Sequence, residues 1–332
     1  MNIYDIAELA GVSIATVSRV VNDSPKVSEK TKAKVRAVME EQQYTPNVFA
    51  RSLGLNSMQT VGVVCPDVSD VYMATCVAYL EKSIRSYGYN CILYCSGYEY
   101  ADKENAIKQI LEKRIDALVL VGSQYAGDGS ESDTRYIREA AQKVPVFFIG
   151  GSIRCPGVYC VVADAYQAMY DVVSALTESG RKRILFLHDS NSYSAKQKLR
   201  GYEDALKDNG LPVLDELKIF AQNKIRKVYE ILSEQKDLEF DAAVATDDGL
   251  AVGVLKYARS RNLSVPEDVN IIGYNNSELA ICCEPELSSI DSRSDVLCKA
   301  AIDSMMRLLS GQPIRQKRVV SCRFVKRHTT NF

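Results

Sequence analysis

The residues best suited to molecular recognition near the N-terminus lie on one face of a short predicted helix that follows Ser13. At about 100° per residue, Val17, Val20 and Val21 share the opposite, apolar face. The polar face carries Ala15, Ser18, Arg19 and Asn22, with Ile14 at its border. Small side chains permit close approach to a partner, and the guanidinium fork of arginine pairs with guanine or phosphate. Such a face suits a helix that enters the major groove of DNA.

Three helical segments position this face. The first helix is predicted from the spacing of Ile3, Ile6, Ala7 and Ala10. Gly11 ends it, because glycine takes a left-handed backbone without a Cβ penalty, and Ser13 caps the second helix. A third helix is predicted over residues 28–43 with Ser28 as its N-cap, and Pro46 breaks the pattern. An ordinary helical hairpin with a solvated polar face would show the same periodicity.

Positive charge concentrates beside these helices. The whole chain of 332 residues has a formal net charge of −1, whereas residues 19–36 contain six basic and two acidic residues. This clustering fits phosphate neutralisation, although a solvated helix face also carries such runs. The overall composition, 46% hydrophobic and 25% charged, is typical of a soluble globular protein of two or three domains.

The head of the chain resembles the lactose-repressor (LacI/GalR) family of bacterial transcription factors. The resemblance rests on residues 10–13 (AGVS), 16–22 (TVSRVVN), 27–31 (VSEKT) and 44–47 (YTPN), and it covers essentially the whole chain. It implies a repressor of carbohydrate-utilisation genes that binds pseudo-palindromic double-stranded operator DNA as a homodimer. The DNA contacts that it implies in the head are Tyr4, Ser13, Ile14, Ala15, Thr16, Ser18, Arg19, Asn22, Lys26, Thr31 and Tyr44.

Residues 47–58 form the predicted hinge between the head and the rest of the chain. A helix this short is marginal in water on its own. In the resembling family, a pair of such helices orders on DNA and wedges leucines into the minor groove. The matching DNA-contact residues are Asn47, Ala50, Arg51 and Leu53. A flexible linker whose leucines dock on the next domain is the alternative, and Gly54 weakens a helix by about 1 kcal/mol relative to alanine.

From Thr60 onward, short apolar runs alternate with helical patterns. This alternation predicts parallel sheets with right-handed crossovers, and the length favours two lobes. The predicted strands are 61–65, 91–94, 117–121, 146–149, 158–162, 184–187, 243–245 and 270–272, and helices are expected near 73–87, 102–113, 165–179, 197–209, 249–261 and 294–310.

The predicted fold is therefore an all-α helix-turn-helix head and a hinge helix, followed by a two-lobed α/β domain with parallel sheets. The resemblance implies the periplasmic-binding-protein architecture for this domain. The predicted boundaries are 1–46 for the DNA-binding head, 47–58 for the hinge and 59–332 for the effector-binding and dimerisation domain, with one lobe at about 59–160 and 291–320 and the other at about 161–290 and 321–332.

Polar residues after the predicted strands indicate a ligand site in the cleft between the lobes, since ligands bind beyond the carboxyl ends of such strands. The resemblance assigns effector contacts to Tyr72, Met73, Asp164, Ser192, Ser194, Lys198, Thr246, Asp247 and Asn275. Lys198 replaces the arginine usual in the family, and Asn275 replaces a frequent aspartate. Both changes remove a bidentate contact to sugar hydroxyls. Asp164, Thr246 and Asp247 still fit a hydroxyl-rich ligand.

The head and the run from Thr246 to Val254 are also similar to catabolite-control members of the family, which use a phosphorylated carrier protein as corepressor. The loop at residues 280–283 (AICC) lacks arginines that could bind a phosphoserine. A small-molecule effector, a sugar or sugar derivative, is therefore favoured over a protein corepressor.

Two other classes of protein share part of this pattern. A free-standing sugar-binding protein would explain residues 60–332 but not the head, and it would need a signal peptide that is not recognisable here. An α/β enzyme would need a catalytic motif, and neither a G-x-S-x-G elbow nor a GxxxxGK[ST] loop occurs. We therefore predict that the protein is not an enzyme.

The cysteine spacing and the hydropathy of the sequence argue against metal-binding and membrane-spanning proteins. The ten cysteines and two histidines form no CxxC pair, so neither a zinc site nor any other metal or cofactor is expected, and buried reduced thiols are predicted. No stretch is long and apolar enough to span a bilayer. A cytoplasmic bacterial protein, associated with the nucleoid through DNA, is expected.

Overall fold

The computed structural model describes residues 2–44, 57–127, 129–235 and 237–332. Within these ranges, a three-helix head precedes two α/β lobes. The predicted hinge contacts Asn47, Ala50, Arg51 and Leu53 lie outside the described residues.

The head consists of α1 (Ile3–Ala10), α2 (Ile14–Val21) and α3 (Glu29–Glu41). The predicted caps are confirmed: the Ser13 and Ser28 side chains accept from the backbone N–H of Thr16 and Thr31, and Gly11 ends α1 with φ of 59°. The core of the head consists of Ile3, Ile6, Ala7, Ala10, Val17, Val20 and Val35. The apolar stripes of the three helices therefore close a small core of their own.

After the head, strands and helices alternate along the chain. The elements are β1 (Thr60–Cys65), α4 (Val71–Ser86), β2 (Asn90–Cys95), α5 (Tyr100–Leu111), β3 (Ala117–Val121), α6 (Glu131–Ala141), β4 (Val146–Ile149), β5 (Val158–Ala163), α7 (Ala165–Glu178), β6 (Ile184–His188), α8 (Tyr193–Asp208), β7 (Lys218–Phe220), α9 (Ile225–Glu234), β8 (Ala242–Ala245), α10 (Asp248–Ser260), β9 (Asn270–Tyr274), α11 (Glu278–Cys282), β10 (Ser288–Asp291), α12 (Ser294–Leu309), β11 (Lys317–Val320) and β12 (Arg323–Val325). This order confirms the predicted fold class.

Each lobe is built on one six-stranded sheet. The first sheet has the order β11-β5-β4-β3-β1-β2 and is entirely parallel. The second has the order β12-β10-β9-β8-β6-β7, and only β12 runs antiparallel to its neighbour. Alternate strand residues face two separate hydrophobic clusters, as Val63 and Val64 do in β1. Helices thus cover both faces, as parallel sheets require.

The chain passes between the lobes three times. The passages follow β5, follow β10 and follow β11, so that β11 completes the first sheet and β12 the second. Leu297 and Ile302 of α12 pack in the same cluster as Val61 of β1, which assigns α12 to the first lobe. Neither lobe is therefore a continuous stretch of sequence.

Candidate functional site: a helical DNA face and an inter-lobe cavity

Helix α2 presents a polar face on the head. Its Val17 and Val20 are buried among the side chains of α1 and α3, whereas Ala15 and Arg19 are exposed. Of the other residues predicted to contact DNA, Tyr4, Ser13 and Lys26 are exposed, and Ile14, Thr16, Asn22, Thr31 and Tyr44 are partly buried. Arginine and small side chains on the exposed surface of a short helix fit entry into a major groove.

Ser18 does not lie on this exposed face. It is only 3% exposed, so its predicted assignment to the outer face is wrong. At about 100° per residue, Ser18 lies beside Ile14 and Val21 and not opposite Val17. Its small side chain is therefore covered together with the apolar stripe.

Ion pairs within the head reduce the positive charge that is free to meet phosphate. Lys32 Nζ lies 3.0 Å from an oxygen of Asp23 and 2.9 Å from one of Glu29, and Arg36 lies 2.8 Å from Asp23. The hydrogen bond from Lys32 holds the pKa of Asp23 below its usual value. Within residues 2–44, Arg19, Lys26, Lys30 and Lys34 have no carboxylate partner. These four cations are the ones available to DNA.

A cavity of about 950 Å³ lies between the two lobes. Its lining comes from segments that follow β1, β2, β3 and β4 in the first lobe and β6, β7, β8 and β9 in the second, and from the passages after β5 and β10. Across it, Ser123 Oγ of the first lobe donates to Ser192 Oγ of the second at 2.8 Å. The cavity is therefore at the carboxyl ends of the strands, and its size is that of a small-molecule site.

The structure brings eight of the nine predicted effector residues to this cavity. They are Tyr72, Met73, Ser192, Ser194, Lys198, Thr246, Asp247 and Asn275. Asp164 is not among the lining residues, although its neighbours Ala163 and Ala165 are. Its carboxylate instead caps α7 by accepting from Gln167 N at 3.2 Å. Asp164 is thus a helix cap, and its predicted effector contact finds no support in the cavity lining.

Lys198 is a buried cation on the second-lobe side of the cavity. Its side chain projects from α8, donates to the backbone oxygen of Thr246 at 2.8 Å and lies 3.4 Å from the centre of the Tyr274 ring. Burial lowers the pKa of Lys198 to about 8. Its ammonium is therefore already engaged by protein groups and does not point freely at a ligand.

Asp247 and Asn275 form a fixed pair at the ends of β8 and β9. Asp247 Oδ1 accepts from Gly249 N at 2.8 Å, and its Oδ2 accepts from Asn275 Nδ2 at 2.9 Å. Beside this pair, the buried Thr246 Oγ1 has no hydrogen-bond partner among the described residues. Buried hydroxyls are normally satisfied, so the lining holds a polar group without its complement.

Asp70, Asp189 and Tyr98 are among the lining residues that the sequence prediction did not name. Asp70 follows β1 and caps α4, Asp189 directly follows β6, and Tyr98 follows β2. Burial, with the nearby charges of Asp247 and Asp189, raises the pKa of Asp70 to about 6. The signal that could have found both carboxylates is their place in a segment that follows a strand, which is the rule that identified Asp247.

Aromatic side chains add flat surfaces to the cavity. Tyr72 and Tyr98 line its first-lobe side, and Phe220 lines the second-lobe side with 55% of its surface exposed. Burial and the charges of Asp70, Asp67 and Asp189 raise the pKa of Tyr98 to about 12, so the phenol is neutral at physiological pH. Hydroxyl, amide and carboxylate groups between aromatic faces suit a polyhydroxylated ring.

The described parts of the chain contain neither a cluster of metal ligands nor a helix suited to a membrane. No three carboxylate, thiol or imidazole side chains in residues 2–44, 57–127, 129–235 and 237–332 are grouped so that they could hold a metal ion. Across the same ranges, no helix combines the length and the apolar character needed to cross a bilayer.

Comparison with known proteins gives concordant matches for both parts of the chain. Residues 2–47 match the bacterial regulatory proteins of the lacI family, and residues 173–330 match a periplasmic binding protein-like domain. The HTH-type transcriptional regulator of Lachnoclostridium phytofermentans is 47% identical over the full length of both chains. Catabolite control protein A of Priestia megaterium is 32% identical over 87% of each. The crystal structure of the lac repressor dimer bound to operator and an anti-inducer is 25% identical, covers 99% of this chain and 98% of its own, and superposes with a TM-score of 0.83.

Proposed function

Because the chain belongs to the lacI family of bacterial regulatory proteins, we propose that it represses carbohydrate-utilisation genes under the control of a sugar or sugar derivative. The coarser statement follows from membership: the protein is a DNA-binding transcriptional regulator and not an enzyme. The proposal adds the effector, its place in the inter-lobe cavity, and the direction of control over carbohydrate genes.

The lining of the inter-lobe cavity carries this proposal. Carboxylates, amides and hydroxyls from both lobes converge there between the rings of Tyr72, Tyr98 and Phe220. A ligand held by both lobes favours whichever relative arrangement of the lobes gives it the most contacts. Where the two arrangements of the lobes position the head differently, binding of the ligand changes the affinity of the protein for operator DNA.

We propose a homodimer on a pseudo-palindromic operator. One helix-turn-helix reads one half-site, so a two-fold dimer is the matching form. The head boundary at residue 46, the hinge at 47–58 and the Leu53 wedge belong to the same proposal and rest on the sequence. A bacterial regulator of this kind acts in the cytoplasm at the nucleoid.

Operator binding and effector binding are tested together. The upstream region of the protein's own gene is footprinted with and without a panel of sugars, and affinity for the protected fragment is measured by fluorescence anisotropy. A sugar that binds in calorimetry and changes operator affinity several-fold supports the proposal. If the protein turns over a sugar and does not retain DNA, the proposal is wrong.

The variant Asp247→Ala separates the two sites. It removes a carboxylate from the cavity lining and costs about 1 kcal/mol of helix capping. We expect normal operator binding without effector and a lost response to effector. Asp215→Ala is the control, since Asp215 is 95% exposed and does not line the cavity.

A further inference from the structure

The interior of the inter-lobe cavity holds an excess of negative charge that spans both lobes. Asp70 comes from the first lobe, and Asp189 and Asp247 come from the second; all three line the cavity and are partly buried. Within the described ranges, no lysine or arginine nitrogen lies within 4 Å of these carboxylates. Four more charged residues line the cavity and cancel in number, the acids Asp67 and Glu99 against the exposed Lys196 and Lys224.

Among the described residues, the buried Lys198 offsets only part of this charge, because it acts on Asp189 and Asp247 through space without contacting either. The Lys198 ammonium donates to Thr246 O and lies over the Tyr274 ring. Three carboxylates therefore face a single ammonium group whose contacts are made elsewhere. Burial, together with repulsion from Asp247, raises the pKa of Asp189 as well as that of Asp70, although the charge of Lys198 acts in the opposite direction on Asp189.

A second observation indicates that a polar ligand group belongs beside these carboxylates. Thr246, which is 4% exposed, lines the cavity next to Asp247, and its Oγ1 has no partner in the described parts of the chain. A metal ion is a poor candidate for the missing group, because no suitable cluster of three ligands occurs among these residues. An organic cation needs no such cluster, since an ammonium group can donate to carboxylates that stand farther apart.

We propose that the effector carries a protonated amine beside its hydroxyl groups, as amino sugars do, and that the amine lies between Asp70 of one lobe and Asp189 and Asp247 of the other. This inference rests on the proposed function, because it names the chemical class of the effector for the same cavity. It also gives the ligand a mechanical role. Like charges on opposite walls oppose closure of the cleft, and an ammonium group between them converts that repulsion into attraction.

The test compares sugars that differ at one substituent, which is an ammonium, a hydroxyl or an acetamido group. Glucosamine, galactosamine and mannosamine are titrated into the full-length protein by calorimetry at pH 7, beside the parent sugars and the N-acetylated forms. We expect at least one amino sugar to bind about tenfold or more tightly than its parent and its acetylated form, since hydrogen bonds to charged groups contribute about 1.5–3 kcal/mol. Salt at 1 M screens charges that are exposed to solvent, so it reduces this preference in proportion to the exposure of the bound amine.

Two variants assign the preference to the carboxylates. Asp70→Asn removes the charge but keeps the cap of α4, because asparagine caps helices as well as aspartate does. We expect it to abolish most of the preference for the amino sugar, measured as the ratio of amino-sugar affinity to parent-sugar affinity in the same variant. Asp215→Asn makes the same charge change on the exposed surface and should keep the preference.

The outcomes separate this inference from the proposed function. Equal binding of an amino sugar and its parent, or an unchanged preference in Asp70→Asn, overturns the inference. A neutral sugar that then changes operator affinity leaves the proposed function intact. If none of the nine compounds binds, the amino-sugar inference is overturned, and operator binding alone then tests the regulator.

Discussion

Asn275 Nδ2 donates to Asp247 Oδ2 across 2.9 Å, while Asn275 Oδ1 accepts from Ser292 Oγ at 3.2 Å. One amide thus joins a carboxylate of the cavity to the passage between β10 and α12. An ionised aspartate at position 275 could accept from Ser292 Oγ but could not donate to Asp247. The amide therefore fixes the orientation of Asp247, a function that the frequent aspartate of the family cannot perform in this geometry.

The first prediction concerns this pair. Asn275→Asp places two carboxylates at hydrogen-bonding distance, and only one of them can easily ionise. We expect a loss of about 1–3 kcal/mol in the free energy of unfolding at pH 7.5 and a smaller loss at pH 5, where one group keeps its proton. Urea midpoints of the full chain at the two pH values measure it. The control is Asn276→Asp. Asn276 Oδ1 already accepts from Arg327 at 2.6 Å, and the arginine stabilises a carboxylate at this position. Equal losses in both variants would contradict the pairing argument.

Arg19 provides the second prediction. It is exposed on α2 and has no carboxylate partner within the head, so Arg19→Ala should weaken operator binding and lower the ratio of operator to random-DNA affinity. A good bidentate base contact carries about 1–3 kcal/mol of discrimination. Anisotropy titrations on the two DNAs measure the ratio. Lys30→Ala is the matched loss of one exposed cation and should weaken both affinities alike. An unchanged ratio in Arg19→Ala would make this residue a phosphate contact only.

The buried ammonium of Lys198 predicts how the free energy of unfolding depends on pH. Its pKa is about 8 in the folded chain against an ordinary value of 10.5, so between these values the unfolded chain binds more protons than the folded one. The contribution of Lys198 to stability therefore rises as pH increases from 8 to 10.5. We expect the difference in urea midpoint between wild type and Lys198→Met to shift in favour of wild type between pH 7.5 and 9.5. The exposed Lys207→Met should show no such shift, and a constant difference for Lys198→Met would refute the burial argument.

A close helix contact gives the fourth prediction. A Cβ on Gly201 of α8 would collide with the backbone oxygen of Tyr166 and lie 3.1 Å from Tyr170 N, both in α7. Alanine would gain about 1 kcal/mol of helix propensity, but the backbone cannot yield as a flexible side chain does. We expect Gly201→Ala to cost about 1–3 kcal/mol net, measured by urea unfolding. Lys207→Ala, exposed on the same helix, should stay within about 0.5 kcal/mol. A stabilised Gly201→Ala would show that the two helices can move apart.

The head and most strands could be predicted because their signals are local. Gly11, Ser13 and Ser28 act on residues three or four positions away, and the core strands read as apolar runs such as 117–121. The strand β10 was not predicted because its pattern is polar: Ser288 and Ser289 are fully buried. Ser289 Oγ donates to Asp248 Oδ1 at 2.6 Å, and Ser288 Oγ lies 2.8 Å from Thr330 Oγ1. Hydrogen-bond partners so far apart in the sequence produce no periodic pattern of residue types from which the strand could be predicted.

The prediction of the cavity residues succeeded at positions that the family resemblance supplied and missed residues at other positions. Thr246, Asp247 and Asn275 follow strands and do line the cavity. Asp70 and Asp189 also follow strands, but their importance depends on charges brought together from opposite lobes, which no single stretch contains. Ser18 was predicted to be exposed and is buried. Its angle on the helical wheel of α2 does not show how much of the helix surface its neighbours cover.

The discontinuity of the two lobes has a consequence for synthesis on the ribosome. The head has all of its core residues once residue 44 has emerged, so it can fold early in translation. The first lobe waits for α12 and β11, and the second waits for Thr329, whose hydroxyl donates to Ile271 O at 2.6 Å and accepts from Ser288 N at 2.8 Å. Both lobes therefore become complete only within the segment 294–330, almost together. A nascent chain interrupted before this segment would carry a finished DNA-reading unit beside two unfinished lobes, and hence would lack the cavity through which a ligand could release or retain it.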